Sequence, residues 1–140
     1  MNLDEKTLVG LVEPVTITGN NEKHRRLIAR IDTGATKSSI DKSLVEELKL
    51  GPVIKKRMTK QATGITWRPV IKVKCELSGR KFNFQFTVAD RKEMRYKVLI
   101  GQNILKRNFL VDPQKDYNKY KDLEDSQLEE STIEEHVKDE

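Results

Sequence analysis

Residues 70–88 constrain the fold most, because apolar side chains recur at every second position on both sides of one short turn. A period of two is typical of an extended strand that buries one face. The turn is Ser78-Gly79-Arg80, which is suited to joining two antiparallel strands. The segment therefore predicts a β-hairpin with apolar positions Val70, Ile71, Val73, Cys75 and Leu77 on one strand and Phe82, Phe84, Phe86 and Val88 on the other.

The rest of the folded region has the same character. We expect further strands over residues 8–12, 15–17, 27–31, 98–100 and 109–111, and Pro14 favours a bent or edge strand near the start. Two helices are expected, one over residues 42–49 with Asp41 or Ser39 as its cap, and one over residues 102–106. The chain is predicted to be a small all-β domain with two short helices.

Charge divides the 140 residues into two unequal parts. Residues 1–113 contain 23 Lys and Arg against 12 Asp and Glu, whereas residues 114–140 contain 4 Lys against 10 acidic residues and few apolar ones. We therefore expect one folded domain over 1–113 and an acidic tail over 114–140 that is disordered or partly helical. The tail either solubilises the protein or folds back onto the basic domain and competes with acidic ligands.

Composition also limits the cofactors and the compartment. No run approaches the roughly 20 apolar residues of a membrane span, and the first residues lack a signal region. Cys75 is the sole cysteine, and with only two histidines an ordinary four-ligand zinc site cannot form. We expect a cytoplasmic protein with no membrane contact, no metal and no cofactor.

Asp32 is the strongest candidate for chemistry. It directly follows an apolar strand and directly precedes Thr33 and Gly34, small residues that let the backbone turn sharply beneath a carboxylate. An Asp in this position is also a common turn-former, whose side chain accepts hydrogen bonds from nearby backbone N–H groups. The tripeptide alone leaves both interpretations open.

The surrounding motifs favour the catalytic interpretation. Ala35 follows the tripeptide, and VLIGQNIL occurs at residues 98–105. The combination resembles the retropepsin-like aspartic peptidases, which pair Asp-Thr-Gly-Ala with a later apolar-apolar-Gly-x-Asn-x-Leu segment. The chain also resembles a narrower bacterial and archaeal retropepsin-like family, often labelled an ATP-dependent zinc protease and linked to ribosomal-protein glutamate ligases. The matching stretches are VGLVE at 9–13, ARIDTGATKSS at 29–39, RPV at 68–70, MRYKVLIG at 94–101 and LVDP at 110–113.

Two features depart from that narrower family or its label. Gln102 stands where the family usually has Arg after the glycine. Neither zinc nor ATP is supported by the sequence, which has no His-Glu-x-x-His and no Gly-rich phosphate loop ending in Gly-Lys-Ser/Thr.

The resemblance implies a small closed retropepsin β-barrel that carries half of an active site. Since the chain has one Asp-Thr-Gly, a complete site requires a symmetric homodimer in which two Asp32 carboxylates share one proton and activate a water. The resemblance gives Thr33, Gly34, Ala35 and Gly101 the role of shaping the site. It also predicts a substrate-covering flap within residues 56–70, with its tip at Gly64.

Within this flap, Thr63, Gly64, Ile65, Trp67 and Arg68 are the expected substrate-binding residues. Trp67 either forms a wall of a side-chain pocket or acts as a core or surface anchor.

The excess of Lys and Arg over Asp and Glu in residues 1–113 is compatible with several kinds of partner. One is an acidic, glutamate-rich peptide, held by a cleft rim of Arg25, Arg26, Arg30, Lys55, Lys56, Arg57, Lys60 and Arg68. A non-catalytic dimeric peptide-binding module of the same fold is the alternative. A nucleic-acid-binding domain is less favoured, because a Phe82, Phe84 and Phe86 stripe is usually core. The leading hypothesis is an aspartic endopeptidase.

Overall fold

The computed structural model describes residues 5–115 and Lys119. They form strands and two short helices in this chain order: β1 (Thr7–Val9), β2 (Val12–Thr18), β3 (His24–Ile31), β4 (Ser38–Asp41), α1 (Lys42–Glu47), β5 (Val53–Gln61), β6 (Gly64–Leu77), β7 (Arg80–Ala89), β8 (Val98–Ile100), α2 (Gln102–Leu105) and β9 (Phe109–Val111). In this part of the chain no helix is both long and apolar enough to cross a membrane.

Six of the strands close into a barrel. Their order is β2-β3-β8-β4-β7-β6, and β6 pairs back onto β2 to complete the ring. Closure satisfies the backbone groups that an open sheet would leave at its edges. Strand β5 lies outside the ring and pairs with β6, so that β5 and the first half of β6 extend from the barrel as a hairpin. The predicted closed all-β barrel with two short helices is confirmed.

The position of β8 between β3 and β4 determines the path of the segment that joins β3 to β4. Strands β3 and β4 are consecutive in sequence, yet β8 lies between them, parallel to β3 and antiparallel to β4. The segment that joins β3 to β4, residues 32–37, must therefore pass around the end of β8. Asp32 is the first residue of that segment.

The core is formed by the inward faces of the barrel strands. Phe86, Ile71, Val73 and Leu77 are fully or almost fully buried, as the two-residue alternation predicts. The rings of Phe82 and Phe84 stack with their centroids 5.6 Å apart and pack against this core. Both rings are partly buried by these contacts, so the stripe is a flank of the core, as the alternation predicts.

Several element boundaries differ from the sequence expectations. The run over residues 8–12 is divided between β1 and β2 at Gly10, and β4 was not expected because it has only four residues and depends on β7 and β8 for its pairing. Helix α1 ends earlier than expected, at Glu47, and its predicted cap Asp41 accepts a hydrogen bond from the Ser43 backbone N–H at 3.1 Å. Pro14 pairs with β3 alone, which fits its edge-like position.

The described chain continues without a break two residues past the domain boundary expected at residue 113. Lys115 donates two hydrogen bonds to the carboxylate of Glu13, at 2.9 and 3.1 Å, and Glu13 is only 2% exposed. We therefore propose that the domain includes Lys115. Residues 116–118 and 120–140, most of the expected acidic tail, lie outside the described residues, so its disordered or partly helical state stays a prediction.

Replacing Lys115 by Met should lower the free energy of unfolding by about 1–3 kcal/mol, because the buried Glu13 carboxylate loses its partner. Urea denaturation of the full chain measures this difference. Lys92→Met, at an exposed lysine, serves as the matched control and should change stability by less than about 0.5 kcal/mol. Equal effects of the two substitutions would contradict the role of the Glu13–Lys115 pair.

Candidate active site at the end of β3

Asp32 is held at the end of β3 by backbone contacts. Its N–H donates to the Ile100 carbonyl at 2.9 Å, and the preceding Ile31 N–H donates to the Leu11 carbonyl at 2.9 Å. These bonds continue the strand pairing up to the carboxylate itself. Asp32 is half-buried, and Thr33 and Gly34 after it are exposed.

Gln102 fastens the loop that follows Asp32. Its backbone N–H donates to the Ala35 carbonyl at 2.8 Å, and its side-chain Nε2 donates to the Thr33 carbonyl at 2.8 Å. The residue that departs from the resembled family thus still makes a local contact with the Asp-Thr-Gly loop. Gly101 lies immediately before it, and a Cβ there would collide with the Lys37 backbone, so the close passage of the two segments requires glycine.

A buried polar contact joins β4 to the same region. Ser38, which is fully buried, donates to Asn103 Oδ1 from its backbone N–H at 3.0 Å and from its hydroxyl at 2.8 Å. The Ser38 hydroxyl accepts from the Gly101 N–H at 2.9 Å, and Asn103 Nδ2 donates to the Gln85 carbonyl at 2.9 Å. These bonds tie β4, α2 and β7 together behind the Asp32 loop.

The Asp32 carboxylate uses one oxygen within its own loop. Oδ1 accepts a hydrogen bond from the Gly34 N–H at 2.9 Å, and a Cβ at residue 34 would lie 3.3 Å from that oxygen. The turn-forming interpretation of Asp32 therefore describes part of its environment. Oδ2 accepts no hydrogen bond from any residue in the described part of the chain. A carboxylate held in this way has one oxygen available for an external group.

The β5–β6 hairpin corresponds to the expected flap. Its two-residue turn is Ala62-Thr63, and Gly64, at φ 132°, is the first residue after the turn. The expected tip is thus displaced by one residue. Arg57 Nη1 donates to the Thr87 hydroxyl of β7 at 2.9 Å, which shows that the Arg57 side of the hairpin faces the barrel.

The expected flap residues divide between the two faces of this hairpin. Arg68 is the cross-strand partner of Arg57 and therefore lies on the barrel-facing side. Trp67 pairs with Met58 on the opposite face, and both Trp67 and Ile65 are 61% exposed. Trp67 is not a core residue. Substrate contact by Ile65 and Trp67 stays a prediction, and it would have to occur on the outer face.

Arginines gather on the barrel surface beside Asp32. Arg30 and Ser39 flank Leu99 in register across β3, β8 and β4, and the Arg91 guanidinium donates to the Ser39 hydroxyl at 3.3 Å. Next to Ser39 in register is Thr87, which binds Arg57 as described above. The arginine cluster, as we name it, consists of Arg30, Arg57, Arg68 and Arg91.

Arg91 was missed at the level of sequence because it lies in the loop between β7 and β8, where no periodicity marks it. Its backbone N–H donates to Asp41 Oδ1 at 2.5 Å and its Nε donates to the Tyr96 carbonyl at 2.9 Å. Burial and the positive charges of Arg30 and Arg68 lower the pKa of Arg91, while Asp41 and Asp32 favour its charged form. Even so, an arginine remains charged at neutral pH.

Two residues of the expected basic rim lie elsewhere. Arg25 and Arg26 are near the start of β3, whereas Asp32 follows its end, about 23 Å away along an extended strand. Arg25 donates to both carboxylate oxygens of Glu47 at 2.9 Å. The prediction that both arginines border the Asp32 cleft is therefore wrong, because the strand length separates them from it.

Among residues 5–115 and Lys119, no group of three His, Cys, Asp or Glu side chains lies close enough together to hold a metal ion. Burial raises the pKa of the Cys75 thiol to about 12, so this side chain is not a thiolate at neutral pH.

Comparison with protein families identifies a matching family. A family model described as RimB-like, "Retropepsin-like aspartic endopeptidase RimB", matches residues 45–122. This range covers more than half of the chain and begins within α1, so it does not include Asp32. No curated protein matches the chain.

Solved structures of similar fold include two retroviral proteases. The simian foamy virus (mac) protease has 17% identity and a TM-score of 0.52, with 68% of this chain and 91% of that chain covered. The EIAV protease, solved with an inhibitor, has 22% identity and a TM-score of 0.52, with coverages of 76% and 90%.

A Legionella pneumophila protein of unknown function is similar at 21% identity and a TM-score of 0.53, covering 76% of this chain and 93% of that one. At these identities the likeness establishes the retropepsin fold.

The Asp41 carboxylate, which positions Arg91, should make stability depend on acid pH. Burial raises its pKa, but hydrogen bonds from Ser43 and Arg91 and the charge of Lys97 outweigh this and leave the pKa below its ordinary value of 3.8. A lowered pKa stabilises the fold above that ordinary value, and the contribution is lost as the pH falls below it. Asp41→Asn should therefore cost about 1–3 kcal/mol at pH 7 and progressively less towards pH 3.

Urea denaturation at a series of pH values measures this difference. The control is Asp90→Asn, an exposed carboxylate of the neighbouring loop, for which we expect a change below about 0.5 kcal/mol. A cost for Asp41→Asn that stays constant down to pH 3 would contradict the assignment.

Proposed function

The chain belongs to the RimB-like family of retropepsin-like aspartic endopeptidases, and we propose that it hydrolyses peptide bonds as a homodimer with one Asp32 from each protomer. The observation that carries this proposal is the geometry of Asp32. Its backbone is fixed by β8, its loop is fastened by Gln102, and one carboxylate oxygen remains free of hydrogen bonds from the described residues.

The homodimer follows from the number of carboxylates. One chain supplies one Asp-Thr-Gly, while activation of a water between two carboxylates needs a second copy. Two carboxylates brought close together cannot both ionise, so they hold one proton between them, and their titration belongs to the pair. Thr33 and Gly34 are exposed in the described protomer, as residues at such an interface would be before assembly.

The proposed reaction uses the shared proton and one water. The ionised Asp32 removes a proton from the water as its oxygen attacks the carbonyl carbon of the scissile bond, while the protonated Asp32 donates to the carbonyl oxygen. The carbon–nitrogen bond then breaks as the leaving amine takes a proton from the carboxyl group that deprotonated the water, and a hydroxyl of the tetrahedral diol returns its proton to the other carboxylate as the product carboxyl group forms. No group other than the two carboxylates and water is needed to balance this sequence.

Acidic peptides are the proposed substrates. The arginine cluster lies beside Asp32, and three of its four members, Arg57, Arg68 and Arg91, are only partly exposed, which strengthens their interaction with a bound carboxylate. The barrel-facing side of the hairpin contributes two of these arginines, so a peptide beneath the hairpin would meet them directly. This arrangement supports a substrate with carboxylate side chains near the cleaved bond.

A non-catalytic peptide-binding module of the same fold is the second candidate. The bond from the Gly34 N–H to Asp32 Oδ1 favours it, because this bond gives the carboxylate a structural role without any chemistry. Both candidates bind acidic peptides, so binding alone does not separate them. The two candidates are distinguished by whether the chain hydrolyses peptides and whether hydrolysis requires Asp32.

Replacing Asp32 by Asn should abolish cleavage of acidic peptides, since an amide cannot accept the proton of the attacking water. Peptide cleavage is followed by mass spectrometry, and sedimentation equilibrium of the same full-length samples reports the dimer. Asp90→Asn, at an exposed carboxylate, should cleave normally. Cleavage that survives Asp32→Asn would disprove the mechanism. Absence of cleavage by the wild-type chain together with retained peptide binding would favour the binding module.

Replacing Arg68 by Ala should raise KM for an acidic peptide by roughly tenfold, because a charged hydrogen bond to the substrate is lost. We expect kcat to change little, and cleavage of a matched peptide with glutamine in place of glutamate to be unaffected. Lys72→Ala removes an exposed charge elsewhere on β6 and serves as the control. Equal losses for the acidic and the neutral peptide would contradict a role in substrate choice.

A further inference from the structure

A second basic surface lies away from the candidate active site. It is a groove of about 1430 Å³ at the end of the barrel where β3 begins. Its outer wall is a set of polar side chains in register across four strands. Thr16 lies between Arg26 and Glu76, Thr18 lies between His24 and Lys74, and the β7 partners of Glu76 and Lys74 are Lys81 and Asn83.

The groove carries more positive than negative charge. Its basic lining residues are Lys23, Arg25, Arg26, Lys74 and Lys81, and its acidic ones are Glu47 and Glu76. Arg25 is bonded to Glu47, while Lys23, Lys74 and Lys81 form no ion pair with any residue that the structure describes. The half-buried ring of Phe82 adds apolar surface to the lining. Its chemistry suits an acidic segment with scattered apolar side chains.

The same chain contains such a segment. Residues 116–140 hold ten acidic residues against three lysines, with Leu123, Leu128, Ile133 and Val137 between them. Asp122, Glu124 and Asp125 form the first acidic group and flank Leu123.

The end of the described domain lies within reach of the groove. The Lys115 carbonyl lies against Gly10, and Thr16 of the groove is six residues further along the chain, about 20 Å away. Seven residues separate Lys115 from Asp122, enough to span about 23 Å when extended. The first acidic group therefore reaches the near edge of the groove when the connecting chain is extended, and the later acidic residues can reach further along it.

We propose that the acidic segment 122–140 binds in cis to this groove. Docking there covers Lys74 and Lys81 and leaves the Asp32 loop open, because the two lie at opposite ends of β3. The segment would thus shield a basic surface from other polyanions instead of occupying the substrate cleft. This proposal does not depend on peptide hydrolysis.

Paramagnetic relaxation enhancement in the full chain tests the docking. A nitroxide is attached to Ser131→Cys in the acidic segment. The buried Cys75 thiol, whose pKa is about 12, should not compete for the label. We expect the backbone amide signals of Lys74, Lys81 and Asn83 to lose most of their intensity, and those of Lys55 and Lys56 on the hairpin to keep theirs. Reduction of the nitroxide gives the reference spectrum.

Matched variants identify the interaction. Lys74→Glu with Lys81→Glu should abolish the intensity loss, and Lys55→Glu with Lys56→Glu should leave it intact. Raising the salt concentration should weaken it, as for any exposed charge contact. If the groove variant does not fold, neutralising Asp122, Glu124 and Asp125 to their amides tests the same contact from the other side.

Several results would overturn the proposal. Broadening at the hairpin or at residues 32–35 would place the segment in the cleft, and no broadening would leave it undocked. Docking in trans is tested by mixing an isotope-labelled chain that carries no nitroxide with an unlabelled chain that carries it. Broadening of the groove amide signals in this mixture would mean that the segment docks on a second copy. The affinity for a fluorescent oligothymidylate is measured for the wild type and for the chain in which Asp122, Glu124 and Asp125 are neutralised. Equal affinities would show that the segment does not shield the groove from polyanions.

Discussion

The hydrogen bonds between Ser38 and Asn103 form the contact on which the rest of the site depends. Ser38 is the first residue of β4 and is fully buried, and Asn103 belongs to the helix that follows β8. Buried polar groups are costly unless paired, so this contact strongly favours one arrangement of the two segments. With β8 held beside β4, the chain from β3 must turn around it, and Asp32 is placed at that turn.

The charge distribution follows from the length of the barrel strands. Strand β3 separates Arg25 and Arg26 at one end from Asp32 at the other, so the basic residues form two surfaces. The arginine cluster beside Asp32 includes half-buried members with hydrogen-bond partners, such as Arg57 and Arg91. The groove at the other end has lysines without ion pairs among the described residues. The positive charge of the domain is therefore divided between two separate surfaces, one beside Asp32 and one at the groove.

Most of the fold was predictable because its strongest signals are local. The hairpin of β6 and β7 was identified from its two-residue alternation, and the cap of α1 from Asp41. Strand β4 was missed, since four residues do not establish a period and its strand conformation depends on pairing with β7 and β8. The arginine cluster was predicted only in part, because Arg91 enters it from a loop through bonds to Ser39, Asp41 and Tyr96.

The sequence by itself determined the class of fold, the position of the Asp-Thr-Gly tripeptide after a strand, and the separation of basic and acidic segments. These depend on periodicity, motif spacing and composition, which are properties of neighbouring residues. Only the tertiary structure decided which side chains surround Asp32 and which basic residues lie far from it. The reason is that β8 and the β7–β8 loop, some sixty residues later in the chain, supply these contacts, and no local pattern encodes a pairing at that distance.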